Sequence, residues 1–195
     1  MTLNATTQTR KGDWIMTFTG VHYWPLDPRP EEVSVVDIAH HLSMMPRYHG
    51  ATKHPYSVAQ HSVLMAGHLL ERQDNKKLAL IALFHDAAEA YLHDLPRPVK
   101  NFIHGYEELE QLNLRAIAAY IGVDSLEKPA LVHELDLRIC VDESQALMHA
   151  PEAFRMLGPA LGVPIERWTP EYAESRFFRL ALQFASDLAG MQVLR

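Results

Sequence analysis

"LFHDAAEAYLHDLPRPVK", Leu83 to Lys100, decides how the rest of the chain is read. It holds two His-Asp pairs, a Glu between them and a proline-braked exit. A surface helix would use Lys and Glu here, and a core helix would use Leu and Ala. His85 and Asp86 are adjacent, so on a helix they point about 100° apart and converge only on something set between them. A metal ion beside a helix suits that geometry, because imidazole and carboxylate both ligate divalent transition metals.

Two ligands do not make a strong site, so others must come from elsewhere in the chain. "SVAQHS" supplies His61, on the same helical face as Val58 and Met65 but polar. "HELDLRICVDESQALM" supplies Asp136, set in the apolar rhythm of Leu135, Ile139 and Leu147. Three packed helices would then surround one ion with His61, His85, Asp86 and Asp136. Such a set leaves room for water, as catalytic rather than closed structural sites do. The ion is expected to be a divalent transition metal (Co, Mn, Zn or Fe) or Mg.

The frame around these residues reads as helical. At 195 residues the chain has the length of one domain with a real core. Helices are predicted at Val35–Met44, from a Ser57/Gln60 capping box to about Arg72, at Lys76–Leu92, at Tyr106–Ile121, at Pro129–His149 and at Pro170–Leu188. The prolines of "DLPRP" stop the third of these. "GPALGVPIERW" is a loop, and "WIMTFTGVHYWPL" has the residues of a small hairpin around Gly20. The fold class is therefore all-α, with a flexible segment at 1–16 and a single domain at 17–195.

Composition narrows the function. Hydrophobic content of 48% and charged content of 22% are ordinary for a globular domain. The longest plain apolar run, "LALIALF", is far too short to cross a bilayer, so no membrane association is expected. The N-terminus has no apolar h-region, and the single cysteine, Cys140, permits no intramolecular disulfide. A cytoplasmic location follows as the expectation. Net charge of −6 argues against a nucleic-acid polymer as partner, but not against a nucleotide.

The order His, His-Asp, Asp resembles the HD-domain phosphohydrolases, an all-helical superfamily of metal-dependent phosphate-ester hydrolases. An isolated "HD" carries no weight and occurs twice here. The longer match is "R…SVAQHS", "ALFHDAAEAYLHDLPRPVK" and "LDLRICVDESQALM", which looks like the small single-domain branch with bacterial 5'-deoxynucleotidases and phage-type relatives. The resemblance covers roughly Phe18 to Met148 and implies an HD-type helical bundle.

It also implies roles. The family's first His matches His61, its doublet His85 and Asp86, and its final metal Asp matches Asp136, with Asp142 as a nearby competitor. Glu89 matches the catalytic acid four residues after the doublet's His, and Asp94 a second acid at the helix exit. Arg47 matches the phosphate-gripping Arg, Tyr48 the aromatic neighbour on sugar or base, where relatives often have Trp. Lys100 is a candidate second phosphate contact. The chain lacks the extra His pair and "HDxxK" spacing of dinuclear relatives, which favours one metal. The implied reaction is removal of the 5'-phosphate from a (deoxy)nucleoside monophosphate by direct water attack, in a homo-oligomer. A deoxynucleoside triphosphate triphosphohydrolase would use the same residues, and an inactive nucleotide-binding HD module is the reading from another class. The remaining histidines, His40, His41 and His93 among them, read as structural or exposed.

Overall fold

The computed structural model describes residues 10–73 and 75–187. Residues 1–9, most of the segment predicted to be flexible, lie outside the described residues, as does Leu188 at the predicted end of the last helix. Arg10 is held: its guanidinium meets Asp27 Oδ2 at 2.7 Å and Glu32 Oε1 at 2.5 Å.

The hairpin around Gly20 is present as two short antiparallel strands, β1 (Ile15–Met16) and β2 (His22–Tyr23), with Ile15 paired to Tyr23. Two strands of this length are marginal alone, and the helices fix them. Thr19 donates its N–H and hydroxyl to the buried Asp37, at 2.7 and 2.8 Å. Tyr23 stacks on Tyr91 and donates its hydroxyl to Asn113 Oδ1 at 2.6 Å.

Helix α1 (Val35–Met44) starts where Ser34 Oγ accepts the N–H groups of Val36 and Asp37. Helix α2 (Val58–Gln73) starts at Ser57, whose Oγ accepts from Gln60 N–H at 3.2 Å. The Gln60 amide bonds the Glu166 carbonyl across the fold. Asn75 caps α3 (Lys76–Phe84), which is buried from Ala79 to Phe84, as an all-apolar helix must be. Helix α6 (Tyr106–Ile121) ends at Gly122, in the left-handed conformation that glycine takes at low cost. Helix α7 (Ala130–Leu147) follows, then a 3-10 turn at Pro151–Leu157 and α8 (Pro170–Asp187). The core runs between α1, α2, α3 and α8, with Phe177 and Phe184 of α8 buried and Phe177 edge-on to Phe84. An all-α bundle with an N-terminal hairpin is thus the architecture.

One predicted helix is broken. The stretch Lys76–Leu92 is not continuous: α3 ends at Phe84, residues 85–88 form turns, and α4 is the single turn Glu89–Leu92. The backbone tightens there to i→i+3 bonds, from Ala87 N–H to Phe84 O and from Glu89 N–H to Asp86 O. The His85 imidazole competes at this point, donating Nδ1–H to Ala82 O at 2.7 Å, the carbonyl an α-helix would offer to Asp86 N–H. The break re-aims His85 and Asp86. Beyond Asp94, Pro96 and Pro98 lead into a further helical turn, α5 (Arg97–Lys100). No helix among the described residues is long and apolar enough to cross a membrane.

Candidate metal centre

His61, in the first turns of α2, is fully buried beside Asp136, in the second turn of α7. His85 and Asp86 arrive from the break after α3. The ligand-type atoms of His61, His85 and Asp86 lie within 4.8 Å of one another. Asp136 Oδ1 is 3.3 Å from His61 Nε2 and 3.9 Å from His85 Nε2, and Asp86 Oδ2 is 3.0 Å from His85 Nε2. His61, His85 and Asp86 therefore cluster, and Asp136 Oδ1 lies within 3.9 Å of both imidazoles.

The imidazoles are oriented for a ligand. His61 bonds Glu143 Oε1 through Nδ1 at 2.6 Å, and His85 bonds a carbonyl through Nδ1. Both partners are acceptors, so Nδ1 carries the hydrogen and Nε2 presents a lone pair. Both Nε2 atoms are buried with no hydrogen-bond partner among the described residues. Two buried lone pairs beside two carboxylates form a donor set that fits one divalent cation. Burial alone would raise the carboxyl of Asp86, but His85 holds it well below the carboxylate range. Asp136 is likewise depressed against burial, by His61, His85 and Lys128. Both stay charged.

Arg47 lies on one flank, in a turn where Tyr48 (φ 56) and His49 (φ 53) take left-handed conformations, which bulky residues seldom adopt. Its guanidinium is 3.7 Å from Asp86 Oδ2 and 3.4 Å from Glu143 Oε2, and its Nε has no partner among the described residues. Glu89 heads α4, with Oε2 enclosed and without a hydrogen-bond partner among the described residues. Burial pushes its carboxyl well above the ordinary value, and Asp86 and Asp94 add to this. Asp94 is raised in the same direction, chiefly by burial, and its N–H meets Met45 Sδ at 3.2 Å.

Tyr48 and Lys100, the two other candidate substrate contacts, have partners within the protein. The Tyr48 hydroxyl is bonded to Glu143, under the centre, and the ring lies edge-on to Phe154. Lys100 Nζ is bonded to Glu110 Oε1 at 2.5 Å. Asp142, the competitor of Asp136, accepts the N–H groups of Leu161, Gly162 and Val163, and so pins the loop before α8.

Two others went unread. Glu143 is fully buried and gathers His61, Tyr48, Tyr56 and Arg47 on one carboxylate. Its position seven residues after Asp136, on the same face of α7, was the available signal. Lys128, in the loop before α7, bonds Asp136 Oδ2 at 2.7 Å. Nothing in its local sequence marked it.

With this geometry the comparisons with known proteins agree. Residues 41–136, which span His61, His85, Asp86 and Asp136, match the HD domain family. The chain carries an HD domain. HD domains serve as metal-dependent phosphohydrolases, and the His61–His85–Asp86 cluster is where this one would hold its ion. The chain is also similar to two bacterial proteins described as uncharacterized. One is YfdR of Escherichia coli, 38% identical over 98 residues, which are 50% of this chain and 52% of that protein. The other is from Rhodobacter capsulatus, 35% identical over 122 residues, 60% of this chain and 62% of that protein. The match thus spans between half and two thirds of those relatives' length.

Proposed function

We propose that this HD domain hydrolyses the 5'-phosphate ester of a deoxynucleoside monophosphate by direct attack of water. The observation that carries the reading is the pair of buried, unpartnered Nε2 atoms of His61 and His85 facing Asp86 and Asp136, with Arg47 and Glu89 on the rim. When bound there, one divalent ion supplies Lewis acidity to a phosphoryl oxygen and to water.

The chain's own residues do the rest. Arg47 offers a planar fork to phosphate oxygens, which Lys does not reproduce. Its contacts to Asp86 and Glu143 hold the fork against the ligand set. Glu89, with its carboxyl raised, keeps a proton to give to the departing 5'-oxygen. Asp94, at the exit of α4, is the candidate for the sugar edge. A cavity of about 430 Å³ opens next to these groups, lined by Phe18, His40, His41, Met45, Pro46 and His93. The cavity is open and shallow, but Met45 and Pro46 lead directly into Arg47 and His93 into Asp94, which makes it our candidate for the nucleoside.

Purified protein, loaded in turn with Mn²⁺, Co²⁺, Zn²⁺ and Mg²⁺, is offered matched ribo- and deoxynucleotides as mono- and triphosphates. Orthophosphate release from deoxynucleoside monophosphates is the expected result. Release of intact triphosphate with monophosphates untouched would replace this reading with a triphosphohydrolase. No hydrolysis of any nucleotide by metal-loaded protein would refute both.

A further inference from the structure

The two oxygens of Asp136 have different surroundings. Oδ1 faces the imidazoles, 3.3 Å from His61 Nε2 and 3.9 Å from His85 Nε2. Oδ2 faces away and accepts from Lys128 Nζ at 2.7 Å, a charge-assisted bond of ordinary length. Asp136 is buried and Lys128 is half-buried. A carboxylate is free to rotate unless something holds its second oxygen, and a rotated Asp136 would present the wrong atom. His61 has Glu143 in that holding role and His85 has the Ala82 carbonyl. Arg47 lies within 3.7 Å of Asp86. Lys128 completes the pattern for the fourth residue.

We propose that Lys128 is a positioning residue of the metal centre: by holding Oδ2 of Asp136 it aims Oδ1 at the ion. This rests on the reading of His61, His85, Asp86 and Asp136 as ligands. Outer partners of this kind commonly change metal affinity by about 10–100-fold when removed. The sign of the effect is informative. A lysine that merely sat near the ion would repel it, and its removal would tighten binding. A lysine that aims a ligand makes binding weaker when lost.

The experiment is titration of the metal-free full-length chain with Co²⁺, read by calorimetry and by the visible absorption of the bound ion. Lys128→Met should bind Co²⁺ about 10–100-fold more weakly, with an altered absorption band, and Lys128→Arg, which still donates to Oδ2, should recover most of the affinity. Added to Asp136→Asn, Lys128→Met should cost little further, because both changes act through one ligand. Should Lys128→Met fail to fold by circular dichroism, Lys128→Gln takes its place. Co²⁺ binding by the variant as tight as wild type, or tighter, overturns the proposal. So does unchanged Co²⁺ affinity with weakened inhibition by inorganic phosphate, which would make Lys128 a substrate contact. If wild type and His85→Ala bind Co²⁺ equally, the metal centre itself is misread, a failure distinct from that of Lys128 alone.

Discussion

Glu143 Oε1 accepts the Nδ1–H of His61 at 2.6 Å, with both residues fully buried and Asp136 two turns earlier on the same helix. One helix therefore carries a candidate ligand and the partner that orients another. The same carboxylate accepts from Tyr56 at 2.8 Å and meets Arg47 at 3.4 Å, so it joins the proposed phosphate-gripping arginine to the candidate ligand His61. Glu143→Gln keeps the shape but halves the acceptor capacity. It should weaken metal affinity by about 10–100-fold. Glu143→Ala should in addition cost roughly 3–5 kcal/mol of stability, because it removes the buried acceptor of His61 and Tyr56 and one of Arg47's two carboxylate partners. Calorimetric metal titration and urea unfolding check the two effects separately.

The same group predicts an acid limit. Burial opposes its charge, but Arg47 and His61 hold the Glu143 carboxyl down to about 2, from an ordinary 4.5. A carboxyl lowered on folding contributes stability that is complete above the unfolded value and lost as pH falls from 4.5 towards 2. The contribution is roughly 3 kcal/mol. Melting temperature should therefore drop steeply below pH 4.5 in the wild type and less steeply in Glu143→Gln. Binding of the ion has its own pH dependence. Burial and Arg47 resist a proton on His61, but Glu143 and Asp136 together raise its pKa, so the ion competes with that proton and binds more weakly as pH falls.

As the proposed acid, Glu89 would trade stability for chemistry. Its carboxyl is raised by burial, then by Asp86 and Asp94. A raised carboxyl binds its proton more tightly folded than unfolded, so its cost to stability grows as pH rises from 4.5 through the folded value. Glu89→Gln should thus melt higher than wild type in chelator at pH 8, with the gap closing near pH 4. In metal-loaded protein the same variant should lose about 10²-fold or more in kcat while keeping its ion. A variant with normal turnover would pass the acid role to Asp94.

The nearness of His61, His85, Asp86 and Asp136 was legible because such candidate ligands interrupt apolar patterns: a His among Val58 and Met65, an Asp beside Leu135 and Ile139. Helix ends were legible where a cap marks them, as at Ser34 and Gly122. The break at His85 was not, since it arises from a side chain taking a backbone carbonyl, which periodicity does not register. Lys128 was illegible for a different reason. It is a lone loop cation whose partner lies eight residues on, and only the fold turns it inward.

Asp142 and Asp136 give the last prediction, because they lie six residues apart on α7, about 120° around its axis, and serve different neighbours. Asp136 Oδ1 points at the two imidazoles, whereas Asp142 accepts three backbone N–H groups from Leu161, Gly162 and Val163 at 2.7–3.2 Å. Asp136→Asn keeps the size of the side chain but removes the anionic oxygen and its ion pair with Lys128, so its chief loss should be in metal binding. Asp142→Ala should do the reverse. It removes the acceptor of three N–H groups in a partly exposed loop, at roughly 0.5–1.5 kcal/mol for each lost bond, and frees the loop that Gln60 also grips through Glu166. Metal affinity in that variant should stay within about twofold of wild type, as expected for a site with no shared partners. Metal titration and thermal melting of both variants decide it: loss of the ion in Asp142→Ala, with retention in Asp136→Asn, would reassign the fourth ligand.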